Sequence, residues 1–380
     1  MAVKSVIEAI REAIREEMDR DSKVFVMGED VGIRGGVFLA TQGLAEEFGD
    51  QRIIDAPLAE ASIMGIALGA AFQGMRPIPE VQFSDFVWPS INQLIGEAAR
   101  TCYGTNGAVQ VPMVIRMPYG GGIRGGLFHS QNVETHFFHT PGLKVVAPCT
   151  PYDAKGLLKS AIRDNNPVVF LEHKKTYRLV RGEVPDEEYT LPIGKADVKR
   201  GGSNITLVSY GLTLHYCLEA AEELAGGGVD VEVIDLRTLT PLDTETILES
   251  VKKTGKLAIV HEDNITGGVG AEIAALAAGQ AFEYLDGPVT RICGPDVPTM
   301  PELGIDMPGG VFGAVRYVAL PAGVPEDRRA YLAAAFKQVL EDPTTQAEFK
   351  EVGVTVSYMG PDDTKAMYDE APADDPECDC

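Results

Sequence analysis

The chain has 380 residues, 45% apolar and 23% charged, with 33 basic and 56 acidic side chains and a formal net charge of −23. That length suits two or three globular domains, and the apolar share is enough for a core, which rules out global disorder. A field of this sign repels polyanions, so the composition argues against a nucleic-acid backbone as the partner.

The longest apolar run, Ile63 to Phe72, is about half the roughly 20 residues a membrane span needs. Met1 to Arg20 mixes charge with apolar residues and has no apolar stretch of the signal-peptide kind. The cysteines are Cys102, Cys149, Cys217, Cys293, Cys378 and Cys380. Their scatter fits neither a disulfide framework nor a zinc pattern, and reduced thiols in the cytoplasm are expected.

Val3 to Met18 carries apolar residues at helical spacing, and Lys23 to Met27 follows as a strand. Glu60 to Met75, rich in glycine and alanine, predicts a buried, tightly packed helix. Strands are expected at 78–82, 111–117 and 167–171, and helices at 88–103 and 152–163. This alternation predicts a parallel sheet covered by helices on both faces. Residues 178–200, with Pro185 and Pro192, break the pattern as a linker does. A second alternation follows, with strands at 205–210, 229–234, 256–261 and 289–293 and helices at 214–224, 244–253 and 270–282. Beyond the proline- and glycine-rich stretch 295–313, helices are expected at 326–341 and 344–351. The last twenty residues hold eight acids and one lysine and read as a frayed, acidic end.

Among motifs, Gly120 to Gly125 satisfies G-x-G-x-x-G, but no helix opens behind it to hold a pyrophosphate. A glycine loop carrying Arg124 and His129 towards a cleft is the better reading. His129, His136 and His139 fall within eleven residues without zinc spacing. They are either packing residues or imidazoles for proton and oxyanion chemistry. Glu60 opens an otherwise apolar helix. It is either a first-turn carboxylate favoured by the helix dipole or an acid in an apolar pocket, where desolvation favours the protonated form.

Longer stretches then become specific. They include Asp55-Ala-Pro-Leu-Ala-Glu60, Arg76-Pro-Ile-Pro-Glu80, His129-Ser-Gln131, His139-Thr-Pro-Gly-Leu-Lys-Val-Val146, Arg163-Asp-Asn-Asn-Pro-Val168, Asp235-Leu-Arg-Thr-Leu239 and Thr266-Gly-Gly-Val-Gly-Ala-Glu272. In this order, from Val3 to about Pro298, the chain resembles the beta subunit of the decarboxylating component of 2-oxo acid dehydrogenases. Gly120 to Gly126 looks more like the branched-chain (2-oxoisovalerate) type than the pyruvate type, which is the alternative.

The resemblance implies an α/β fold. A pyrimidine-type thiamine-diphosphate-binding domain with a parallel sheet, residues 1–190, precedes a smaller transketolase C-terminal-like domain, 191–300. An atypical segment, 301–372, and an acidic tail, 373–380, end the chain. It implies an α₂β₂ heterotetramer whose alpha subunit holds the diphosphate and Mg²⁺ through a Gly-Asp-Gly motif, which this chain lacks. It also implies a lipoyl transacylase core as acyl acceptor and a 2-oxo acid as substrate. By matching position, Glu60 is the cofactor-activating acid and His129 the active-site histidine. Leu58, Gln82 and Phe86 face the cofactor. Met113, Ala161, Ile162, Asp164 and Asn166 match a K⁺ site of some relatives. After Pro298 the chain looks like the C-terminal piece of tripartite tricarboxylate transporter receptors. That raises a carboxylate-binding protein as the reading from another class, although about seventy residues cannot build a two-lobed receptor.

Overall fold

The structure, a computed structural model, describes residues 2–123, 125–295, 324–351, 358, 360 and 361. It divides into two units, Met1–Val297 and Pro298–Cys380. The expectation of a frayed acidic end and the position of Arg124 lie outside the described residues.

The first unit opens with β1 (Ala2–Ser5) and α1 (Val6–Arg20). The helix therefore starts three residues later than the apolar spacing predicts. Ser5 and Glu8 form a capping box: the Glu8 amide donates to Ser5 Oγ (3.4 Å) and the Ser5 amide to Glu8 Oε2 (2.6 Å). Val3 instead pairs in a strand. Next come β2 (Val24–Gly28), α2 (Leu44–Phe48), β3 (Ile53–Asp55), α3 (Glu60–Phe72) and β4 (Arg76–Pro79). The predicted helix at 88–103 is a composite: a 3₁₀ turn at Trp88–Ser90, a π-helical stretch at Asn92–Ala98 and α4 (Ala99–Gly104). The chain continues with β5 (Val114–Tyr119), α5 (Glu134–Phe138), β6 (Lys144–Val146), α6 (Pro151–Arg163), β7 (Val168–His173), α7 (Thr176–Leu179) and β8 (Arg181–Val184). Val111 to Met113 stays outside β5, because Pro112 has no N–H and the Val111 amide is taken by the Asn165 carbonyl (3.0 Å).

Strands β3, β2 and β4 run parallel, as do β6, β7 and β5, and a parallel bridge from Glu80 to Arg116 joins the two groups. All carboxyl ends therefore meet along one edge, where open α/β sheets bind ligands. The predicted linker is partly ordered: β8 pairs antiparallel with β1, and only 185–196 lacks regular structure.

The second alternation comprises β9 (Asp197–Arg200), β10 (Ile205–Ser209), α8 (Thr213–Gly226), β11 (Val231–Asp235), β12 (Thr238–Thr240), α9 (Thr244–Thr254), β13 (Leu257–Asn264), α10 (Val269–Gln280) and β14 (Thr290–Gly294). Its sheet has the order β14-β13-β10-β11-β9, with β9 antiparallel. Strand β12 crosses to pair with β6 of the first alternation. One buried apolar cluster contains Met64, Ile115 and Phe137 together with Val208, Ile234 and Ile259, so the two alternations share a core. The second unit contributes α11 (Glu326–Glu341) and α12 (Pro343–Glu351), close to the expected bounds. Pro325 sits at the N-cap of α11, and Tyr331 and Val339 on that helix are exposed.

Helix α3 corrects one expectation. Ile63, Met64, Ala67, Leu68 and Ala71 are buried, but Ser62, Gly65, Ile66, Gly69 and Phe72 form an exposed face, with Ile66 59% exposed. Ala67 and Ala71 are packed, but Gly65 and Gly69 are not covered among the described residues.

Where the two alternations meet, Glu134 is fully buried and accepts from the Tyr210 hydroxyl (2.9 Å), while its second oxygen, Oε2, has no partner. Burial, with Asp263 close by, pushes its pKa up to about 8. The neutral acid is thus the native form, and its stabilising contribution, full below the ordinary carboxyl range, is lost as pH rises towards 8. Glu134→Gln should match the parent chain in acid and exceed it increasingly with pH, by up to about 1.4 kcal/mol per pH unit. Urea unfolding at pH 5, 6.5 and 8 measures this; a difference that does not grow with pH refutes the buried neutral acid.

Candidate active site

The carboxyl edge of the first sheet is fixed from below by Arg116 on β5, which is fully buried. Its Nε and Nη2 donate to Glu172 on β7 (2.7 and 2.6 Å), and its Nη1 donates to Glu80 after β4. The Tyr177 hydroxyl also donates to Glu172. Burial and the Glu172 charge raise the Glu80 pKa against the pull of Arg116. The bidentate guanidinium–carboxylate pair sets the relative height of β4, β5 and β7.

Above it, Glu29 follows β2, the β3–α3 loop carries Leu58, and Glu60 opens α3. Glu60 is half-buried at the first turn of α3, whose N-cap residue, Ala59, offers no side-chain bond. Glu60 makes no side-chain hydrogen bond among the described residues, so its carboxyl is open to a ligand. Glu29 is near enough that burial, Asp30 and Glu60 together raise its pKa. This neighbour was not among the residues singled out from sequence; a carboxylate after an apolar strand is too common to mark a site. Leu58 is 73% exposed, a large apolar side chain without cover in this chain.

Phe86 and His129 come together. Their ring centroids are 5.4 Å apart and edge-to-face, and Phe83, 4.6 Å from His129 and 5.8 Å from Phe86, completes an aromatic trio. Gln82, half-buried, immediately precedes Phe83. His129 Nδ1 lies 3.0 Å from the Gly125 carbonyl, which can only accept. Nδ1 therefore carries the hydrogen, and in the neutral ring Nε2 is left as the free acceptor. Among the described residues no hydrogen bond joins Glu60 to this trio; they share the sheet edge. His136 instead stacks edge-on against Trp88 (4.9 Å), a packing role. Gly120 turns with φ +80°, and a Cβ there would meet His173 Nε2 at 2.2 Å, so glycine is required by close approach.

The five residues of the K⁺ expectation do gather at one turn. The Ile162 and Asp164 carbonyls accept from Arg76 (2.9 Å each), the Met113 carbonyl accepts from the Val168 amide (2.9 Å), and the Asp164 carboxylate holds Lys144 and the Asn166 amide. The donor set is oxygen, as a hard monovalent cation requires, with two cationic side chains already on it. Among the described residues no group of three or more His, Cys, Asp and Glu could hold a metal ion, and no helix is long and apolar enough to cross a membrane.

Comparison with known proteins decides the family. The family pattern "Transketolase, pyrimidine binding domain" matches residues 3–180, and "Transketolase, C-terminal domain" matches 194–303. The 2-oxoisovalerate dehydrogenase subunit beta of Bacillus subtilis (strain 168) is 55% identical over 301 residues, 79% of this chain and 92% of that protein. The chain belongs to the family of 2-oxo acid dehydrogenase beta subunits. The pyruvate dehydrogenase E1 component subunit beta of the same organism is 49% identical over 296 residues, covering 78% of this chain and 91% of that one. A solved structure titled "Split gene transketolase, inactive beta4 tetramer" aligns with a TM-score of 0.64 at 22% identity, over 79% of this chain and 91% of its own. That likeness supports the fold alone. The beta-subunit match stops near residue 303, where the sequence departs from the family's pattern.

Proposed function

We propose that this beta subunit completes, with an alpha subunit, the thiamine-diphosphate site of a branched-chain 2-oxo acid dehydrogenase and acylates a lipoyl domain. The observation that carries the reading is the placement of Glu60: an acid without a side-chain hydrogen bond among the described residues, at the first turn of α3, on the same sheet edge as the Phe86–His129 cluster. Thiamine diphosphate, when bound, supplies a nucleophilic carbon and an electron sink for loss of CO₂. Glu60 would hold a proton at the pyrimidine ring nitrogen. Phe86 offers a ring face to the pyrimidine, Leu58 and Gln82 border it, and His129 Nε2 accepts or donates a proton at the reacting oxygen or the acyl acceptor. Diphosphate and Mg²⁺ fall to the alpha subunit, since this chain has no Gly-Asp-Gly. The uncovered Leu58 and the bare face of α3 fit a partner chain seated over the site.

Reconstitution with an alpha subunit tests this. Glu60→Gln keeps the shape and removes the acid, and turnover with an artificial electron acceptor should fall by about 10²–10⁴-fold; full activity refutes the role. The kcat/KM for 3-methyl-2-oxobutanoate should exceed that for pyruvate, and the reverse order would make this a pyruvate enzyme.

K⁺ at the turn after α6 is the remaining part of the reading, competing with Lys144 for Asp164. Replacing NaCl by KCl at equal ionic strength should raise the melting temperature of the parent chain and not of Asp164→Asn. Equal melting in both salts rejects the site.

A further inference from the structure

We propose that Asp85 and Lys174 are positioning residues for His129, Asp85 through the two backbone amides that follow the histidine and Lys174 through the Phe83 ring. Asp85 follows β4 and is 7% exposed. Its Oδ1 accepts from the Ser130 and Gln131 amides, both at 3.1 Å, so one carboxylate oxygen fixes the two residues after His129. Its Oδ2 is buried and has no hydrogen-bond partner. Lys174, at the end of β7, is 3% exposed, and its Nζ is likewise buried without a partner. That ammonium lies 5.6 Å from the centroid of Phe83, the ring that contacts His129.

An unpartnered ammonium this deep is costly unless opposite charge surrounds it. Burial draws the Lys174 pKa down to about 8, against the pull of Asp85 and Glu262. Glu262, on β13, accepts from the Gly121 amide (2.7 Å) and contacts His173 Nε2 (2.5 Å). Asp85 grips the Ser130 and Gln131 amides, and a charged acceptor holds an amide about twice as strongly as a neutral one. Lys174 acts through Phe83.

The inference rests on the reading of His129 above only for its catalytic consequence; the positioning itself is measurable in the chain alone. Amide hydrogen exchange of a peptide spanning 127–132 is compared among the parent chain, Lys174→Met and Lys174→Arg. Lys174→Met should exchange about tenfold faster there, because the cation beside Phe83 is removed, with β10 and α1 unchanged. Lys174→Arg should return to within about twofold of the parent. In the reconstituted enzyme Lys174→Met should lower kcat and leave KM for the 2-oxo acid in place. Unchanged exchange at 127–132, equal acceleration throughout the chain, or an arginine variant as loose as the methionine one overturns the proposal. If Lys174→Met does not fold, Asp85→Asn decides by the same peptide: faster exchange there supports the pair and unchanged exchange overturns it. His129→Ala separates the two readings, because full turnover by it refutes the catalytic role of His129 while the exchange result stands.

Discussion

A guanidinium with no access to water, forked onto one carboxylate and touching another, ties three parallel strands together. Arg116 does this for β4, β5 and β7. Removing one partner from such a group strands a buried charge, a cost of about 3–5 kcal/mol, so the register of the strands has little freedom. The strand ends are where Gln82, Phe86 and the His129 segment leave the sheet. Their separation is therefore inherited from an ionic contact that takes no part in the chemistry.

Much of this was legible in the sequence, and for physical reasons. Apolar alternation is a strong signal, so the helix–strand order of both halves emerged, and α11 was bounded by Pro325 and its periodicity. The misjudged boundaries have local causes. Val3 was drawn into a helix because spacing outweighed the Ser5–Glu8 cap. Residues 181–184 were assigned to a linker because a short edge strand pairing with the N-terminus has almost no signature of its own. Proline at 112 cost β5 its first three residues.

The site was legible where resemblance spoke and opaque where it depended on packing. Glu60, Phe86 and His129 were singled out by resemblance; that the last two cluster with Phe83 is visible only in the fold. Glu29, Asp85 and Lys174 were missed. Each is an ordinary polar residue in sequence, and only the fold shows that Lys174 is buried without a hydrogen-bond partner or that Asp85 grips two amides. The helix of small residues was read as buried because its composition is that of a packed helix. Among the described residues, nothing covers its Ile66 and Phe72 face.

That bare flank has a mechanical meaning. Ile66 and Phe72 belong to the same rigid rod whose first residue is Glu60. A helix transmits displacement along its axis almost undiminished, so any body that settles on the flank also sets the tilt of the acid at its tip. On the proposed function, recruitment of a companion and orientation of Glu60 are then a single event.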